Sequence, residues 1–265
     1  MDSPADFPSA RADWLTVREA GERMLACAPP LEPSTIPLSA AADHVLAEGV
    51  VARVDLPPWD NSAMDGYGLR SSDLPVRIPA GGFSVPVDSE VRAGDPPGEP
   101  PPQGSAIRIM TGAPVPRGID TVVRVEDTDG ESGTSGRVVI RSTRDRGRHI
   151  RPAGQDMRRG QELLAPGAWL TPGRVGLLAA AGKDPVHVHP LPRVVILPTG
   201  DELRKPRDFT DVEAGFAIPE SNGPVLQALC EALSLPTTLL PPAPDDDSAL
   251  HDALDHATDA DVLFT

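Results

Sequence analysis

Between residues 56 and 150 short apolar runs are cut repeatedly by prolines and glycines, so no helical period can establish itself. Val76-Arg77-Ile78, Phe83-Ser84-Val85, Ala106-Ile107-Arg108-Ile109, Thr121-Val122-Val123-Arg124-Val125 and Arg137-Val138-Val139-Ile140 have the length and β-branched content of strands. Gly94-Asp95-Pro96-Pro97-Gly98 and Pro100-Pro101-Pro102 read as loops and rigid connectors. The whole chain carries 32 Pro and 24 Gly in 265 residues, more than a fifth. Apolar segments still punctuate them, which predicts a globular protein with many rigid loops. Aromatic residues make up only 3%, so the cores must be built from Ala, Val, Leu and Ile.

The flanks read differently. Residues 1–12 look like a mobile tail. Thr16 and Glu19 form a capping-box signature, and Val17, Ala20, Met24 and Leu25 follow at helical spacing, predicting a helix over 17–28. Ser39 can cap a second helix ending near Gly49, with a strand at 50–54 after it. Residues 152–186 return to helix-like text, with Thr171-Pro172 as an N-cap and first helical residue. The β-rich stretch is therefore expected as an insertion in a helical unit, with parts at 13–55 plus 151–188 around 56–150.

A third unit is expected over 189–265. Arg193–Leu197 is a buried-strand run, a helix follows from Ser221 or Asn222, and Thr237–Leu240 is a second strand. Asp245–Asp247 then opens another helix before Val262-Leu263-Phe264. The order β-α-β-α-β opens a doubly wound parallel sheet, whose ligands bind at the carboxyl ends of the strands. Thr199-Gly200-Asp201-Glu202 lies at one such end, and Asp245-Asp246 lies beyond another. The third strand ends the sequence uncovered, so a further segment or chain is expected to complete the sheet.

The formal net charge of −15 argues against nucleic acid or an anionic membrane as partner. Arginines at 137, 141, 144, 146, 148, 151, 158 and 159 fall in one stretch, most simply a solvated hairpin or linker. Cys27 and Cys230 are expected as separate buried thiols. No apolar leader or run of about 18 apolar residues occurs, which predicts a cytoplasmic protein. His187 and His189 alternate in an apolar run, as expected of one strand face.

The most concentrated chemistry lies in Pro57-Pro58-Trp59-Asp60-Asn61-Ser62-Ala63-Met64-Asp65-Gly66-Tyr67-Gly68-Leu69. Carboxylates, an amide and a hydroxyl at a strand end, beside glycines that permit close approach, suit a binding site. Downstream come Met110-Thr111-Gly112-Ala113-Pro114, Gly154-Gln155-Asp156, Pro198-Thr199-Gly200-Asp201-Glu202-Leu203 and Glu220-Ser221-Asn222-Gly223-Pro224. In this order the signatures resemble the molybdopterin molybdotransferase family (MoeA and the corresponding gephyrin domain) from about residue 14 onward. The family continues beyond the strand matched by Asp261–Thr265, so the chain resembles the first two-thirds of a longer enzyme.

The resemblance implies a multidomain α+β and α/β protein: an elongated helical dimerisation domain, an inserted β-rich domain and a partial molybdopterin-binding-like domain. It implies insertion of molybdate into adenylylated molybdopterin, with Mg²⁺ and release of AMP. Asp65, Thr111, Asp156 and Glu202 match functional residues of the family, although Gln155 stands where the family has a glutamate. Asn61, Ser62, Thr199, Gly200, Ser221 and Asn222 are the implied substrate contacts, and Asp201, Asp245 and Asp246 the implied Mg²⁺ ligands. A homodimer is implied, with the site formed between subunits, and molybdopterin adenylyltransferase or other cofactor-assembly proteins as partners. The basic residues that meet molybdate lie largely beyond the matched region.

Each of these residues also has a plain structural reading. Asp65 and Asp156 can organise turns, Thr111 can form a hydroxyl turn before Gly112, Glu202 can cap a helix, and Asp245–Asp247 can be an N-cap cluster. A catalytically inactive relative acting as a dimerising scaffold or pterin-binding partner is the alternative function. An unrelated phosphoryl-transfer enzyme is disfavoured, since neither a P-loop nor a dinucleotide fingerprint occurs.

Overall fold

The structure is a computed structural model of the chain and describes residues 14–130 and 136–265; the mobile tail expected over 1–12 lies outside these residues. The fold divides into two compact units, one made of residues 50–164 and the other of the described residues up to 49 together with 165–265.

The centre of the first unit is a five-stranded mixed sheet in the order Thr121–Arg124, Gly66–Leu69, Ala106–Ile109, Phe83–Val91, Arg137–Ile140. The strand Gly66–Leu69 runs antiparallel to both neighbours, whereas Phe83–Val91 is parallel to Ala106–Ile109. Alternation of side chains across the pleat makes two cores. Tyr67, Leu69, Val85, Ala106, Val123, Val138 and Ile140 pack together in one, and Val91, Ile107, Ile109, Ala113 and Val122 in the other. Gly66 is required by the backbone spacing: a Cβ there would lie 2.1 Å from the Val123 carbonyl oxygen. Arg108 projects over the Tyr67 ring, 5.3 Å from its centroid, and donates to the Gly66 carbonyl at 2.8 Å. The unit opens and closes on the pairing of Val50–Val51 with Glu162–Leu164.

The second unit contains an antiparallel sheet in which Val186–His189 lies between Ser34–Ile36 and Val45–Leu46. Val186 and Val188 face the core and the histidines alternate away from it, as the sequence pattern predicts. Its parallel sheet has the order Thr237–Leu239, Val194–Ile196, Val262–Phe264, with helices Asn222–Ala232 and Asp247–Asp255 in the two connections. The expected β-α-β-α-β order is therefore present. Val194, Ile196 and Cys230 form its buried core, with Leu226, Leu235, Leu239 and Phe264 against them.

Several local expectations change. The helix predicted from Ser39 to Gly49 is absent; a single 3-10 turn, Leu38–Ala40, gives way to the strand Val45–Leu46. Ala40-Ala41-Ala42 has helical propensity, but Asp43 takes a φ of 64°, which ends any helix, and cross-strand pairing claims Val45. Residues 152–186 are helical only at Pro172–Ala180, and Val76–Ile78 forms no strand. The part expected to be helical therefore holds two α-helices among short strands. The helix Val17–Ala26 does form, and the Thr16 hydroxyl and Glu19 carboxylate complete its capping box. Cys230 is buried but Cys27 is exposed, and both are free thiols. The arginine-rich stretch is anchored: Arg137 binds Ser84, Arg144 pairs with Asp127, Arg146 clasps the carbonyls of Ser71, Leu74 and Pro75, and Arg151 pairs with Asp156. Among the described residues no helix is long and apolar enough to cross a membrane.

Candidate functional site

Polar candidates gather in two places, one in each unit. In residues 50–164 they ring the entry to the strand Gly66–Leu69. Asn61-Ser62 pairs antiparallel with Ile150-Arg151, and Gly112 N donates to the Ser62 carbonyl at 2.8 Å while Ser62 N donates to Ala113 at 3.0 Å. These ties bring together residues about fifty and about ninety positions apart in the chain. Asp65 then receives two hydrogen bonds on Oδ1, from the Thr111 N–H at 2.7 Å and the Thr111 hydroxyl at 2.7 Å. The Thr111 backbone donor, followed by its hydroxyl, holds the Asp65 carboxyl below the usual range; Arg108 adds to the effect and slight burial opposes it. Asp65 is exposed, and its Oδ1 accepts both bonds.

Gly112 follows Thr111 with a φ of 81°, a left-handed turn that lets the Thr111 N–H meet the carboxylate. Ser62 is buried and turns its hydroxyl onto the Met64 carbonyl at 2.6 Å, so it shapes the 62–65 turn. Asn61 is 9% exposed, and its Oδ1 is a buried acceptor without a partner. Asp156 is exposed and forms a two-oxygen ion pair with Arg151, at 2.7 and 2.9 Å. Asp60 caps the facing turn by accepting from Ala153 N at 2.8 Å.

In the second unit the candidates stand at the carboxyl ends of the parallel strands. A cleft of about 400 Å³ opens there, lined by Thr199, Glu220, Ser221, Asn222, Gly223 and Phe264 among others. It lies where ligands enter open α/β sheets. Gly200 has a φ of 143° and donates to the Ala243 carbonyl at 3.0 Å, joining the two strand-end loops. Asp201 Oδ1 accepts from Asp245 N at 3.1 Å, and Asp246 Oδ1 accepts from Ala249 N at 2.9 Å as N-cap of the helix Asp247–Asp255. Asp201, Glu202, Asp245 and Asp246 are exposed and do not line the cleft.

Glu220 has a structural weight not anticipated from the sequence. It is 6% exposed and its Oε1 accepts from Gly223 N at 2.6 Å, capping the helix Asn222–Ala232 where Ser221 makes no side-chain bond. A carboxylate three residues before a glycine was the available signal. A Cβ on Gly223 would come 2.7 Å from Leu239 and 2.9 Å from Glu220, which explains the glycine.

The donor set suits a hard divalent cation in one specific manner. Among the described residues no three His, Cys, Asp or Glu side chains converge. Asp201 and Asp245 are exposed neighbours joined by one hydrogen bond. One or two carboxylates completed by water and substrate phosphate is the usual Mg²⁺ arrangement.

Comparisons with known proteins place the chain in a family. The family model described as "MoeA N-terminal region (domain I and II)" matches residues 15–182. Molybdopterin molybdenumtransferase 2 of Mycobacterium tuberculosis (strain CDC 1551 / Oshkosh) is 38% identical over 249 residues, 94% of this chain and 59% of that protein. Molybdopterin molybdenumtransferase of Synechococcus elongatus is 37% identical over 221 residues, 82% of this chain and 53% of that protein. The crystal structure of molybdopterin biosynthesis MoeA protein from Pyrococcus horikoshii OT3 superposes with a TM-score of 0.76 at 30% identity, covering 93% of this chain and 64% of that one. The chain thus spans somewhat over half the length of the curated relatives it matches. With more than half of its residues inside the family model, this chain belongs to the MoeA family.

Proposed function

We propose that this chain works in molybdenum cofactor biosynthesis as a molybdopterin molybdenumtransferase, placing molybdate on adenylylated molybdopterin as AMP leaves. The observation that carries the reading is the cleft at the carboxyl edge of the parallel sheet, lined by Thr199, Ser221 and Asn222 in a chain of this family. Its size and mix of apolar wall and hydroxyl or amide donors suit a fused-ring substrate with a phosphate tail.

Thr199 and Ser221 offer hydroxyls and Asn222 an amide to the substrate's polar edge, while Ile196, Leu203 and Leu226 supply the apolar wall. Gly200 keeps the strand-end loop close enough for backbone approach. The catalytic residues of this reading are Asp65, Thr111 and Asp156 in one unit and Glu202 in the other. Asp65 stays ionised at neutral pH, Thr111 orients it through Oδ1, and its carboxylate serves as a hydrogen-bond acceptor for a substrate donor. Asn61 and Ser62 set the turn that presents it. Mg²⁺ would be held by Asp201 and Asp245, with Asp246 beside them, and would supply charge neutralisation at the substrate's phosphates. The protein would act as a homodimer in the cytoplasm and receive its substrate from a molybdopterin adenylyltransferase. The chain divides functionally into a dimerisation part at 13–55 with 151–188, a β-rich part at 56–150 and a pterin-binding part at 189–265.

The test is AMP release from adenylylated molybdopterin by this chain, with molybdate and Mg²⁺, beside Asp65→Ala. Release that needs both ions and drops by about a hundredfold or more in the variant supports the reading. Folded protein without release overturns catalysis by this chain and leaves a scaffold or pterin-binding partner.

A further inference from the structure

The turn that carries Asp65 is gripped on both sides. Before it, Ala63 N donates to the His149 carbonyl at 2.9 Å, and Ser62 pairs with Ile150. After it, Val125 N donates to the Asp65 carbonyl at 3.0 Å, and Gly66 pairs with Arg124. His149 and Arg124 are 25 residues apart in the chain, yet both side chains end on one carboxylate. Asp145 is 1% exposed; Oδ2 accepts from Arg124 Nε at 3.0 Å and Arg124 N at 3.2 Å, and Oδ1 accepts from Arg124 Nη2 at 2.8 Å.

His149 Nε2 lies 3.0 Å from Asp145 Oδ1. An ionised carboxylate can only accept, so the ring carries its proton on Nε2 and donates. His149 also has a φ of 69°, a left-handed conformation uncommon for a residue with a side chain. The ring bond to Asp145 holds that backbone and so aims the His149 carbonyl at Ala63. Burial pushes the Asp145 carboxyl up, but the donors of Arg124 and then His149 outweigh it and keep the group ionised.

We infer that Asp145 is a positioning residue for Asp65, acting through His149 on one side of the turn and Arg124 on the other. The inference rests on the reading of Asp65 as a functional carboxylate. A buried ion cluster that merely stabilises the sheet would leave the Asp65–Thr111 geometry unchanged when the His149 arm is cut. A positioning cluster would not.

The experiment measures the Asp65 titration midpoint, by NMR of carboxyl-labelled aspartates, and amide exchange at Ala63 and Thr111. His149→Gly removes the ring where glycine accepts the positive φ without strain. His149→Gln returns a donor. In His149→Gly the Asp65 midpoint rises by about half a pH unit or more, and both amides exchange about tenfold faster. Strand Arg137–Ile140 keeps its protection, and His149→Gln recovers most of the shift. An unchanged Asp65 midpoint and unchanged exchange in folded His149→Gly overturn the inference. If Asp145→Asn fails to fold, the His149 pair still decides. A shifted midpoint alongside wild-type protein without AMP release upholds the positioning and sinks the transferase reading instead.

Discussion

In residues 50–164 the candidate side chains stand on a sheet whose two central strands, Gly66–Leu69 and Ala106–Ile109, are buried along their whole length. In residues 165–265 they stand on a parallel sheet whose last strand leaves Val262 and Leu263 each 38% exposed, and whose helix Asn222–Ala232 leaves Val225 and Leu229 more than half exposed. Parallel sheets are normally covered on both faces. The first unit therefore presents Asp65 already bonded to Thr111, whereas the second presents a cleft with hydroxyls and an amide at its rim. One half of the polar apparatus is preorganised and the other is open. Two hydrogen bonds hold one carboxylate in a set geometry, whereas the exposed faces of the second sheet leave its strands with less packing to hold them.

The largest expected effect breaks the rigid half. Gly66→Ala drives a methyl into the Val123 carbonyl and should cost about 3 kcal/mol or more in urea unfolding. Gly68→Ala meets only side-chain carbons of Ile107 and Ile119, at 3.1 and 3.3 Å, and should cost clearly less. Equal losses would mean that the sheet tolerates separation at Gly66.

Hydrogen exchange sharpens the contrast without mutation. Amides of Ala106–Ile109 should be protected about a hundredfold more than those of Val262–Phe264. Equal protection would remove the distinction between a closed and an open unit.

Acid should act on the rigid half through its depressed carboxyls. Asp65 and Asp145 both have folded pKa values below the ordinary value, so each contributes stability that is present above about pH 4. That contribution is lost as pH falls through the lower folded value. Asp145→Asn leaves Arg124 only its longer contact with Asp127 at 3.8 Å, should cost about 2–3 kcal/mol at neutral pH, and should flatten the fall in stability below pH 4. A variant with the wild-type acid profile would show that Asp145 contributes nothing to it.

The smallest effect belongs to the open half. Glu220→Gln exchanges a charge-assisted bond at Gly223 N for a neutral one and should cost about 1 kcal/mol, read as a lowered Tm. No change would place the start of the helix Asn222–Ala232 under the control of strand packing instead.

Much of the fold could be read locally. Thr16 and Glu19 lie three residues apart and close their capping box, Asp246 caps the helix Asp247–Asp255, and the β-α-β-α-β order follows from segments that each carry their own period. The β-rich text became the five-stranded sheet, though Val76–Ile78 did not join it. The motif residues of the candidate site were all visible as types, yet their partners were not. Thr111 meets Asp65 across 46 residues, and Asp60 meets Ala153 across 93. Ala40-Ala41-Ala42 misled in the opposite sense, because a good helix propensity lost to pairing of Val45–Leu46 with a strand more than 140 residues away.

By itself, then, the sequence determined family membership, the places where helices could start, the strands with their own alternation, and the residue types crowded at two strand ends. Only the tertiary structure decided which carboxylates were anchored, which faced outward, and that Asp145 would gather both flanks of the Asp65 turn. Caps and periods are set by bonds between residues within a turn or two, so they are written in neighbouring letters. A buried carboxylate meets donors brought to it by sheet register, and register emerges only when distant strands pack.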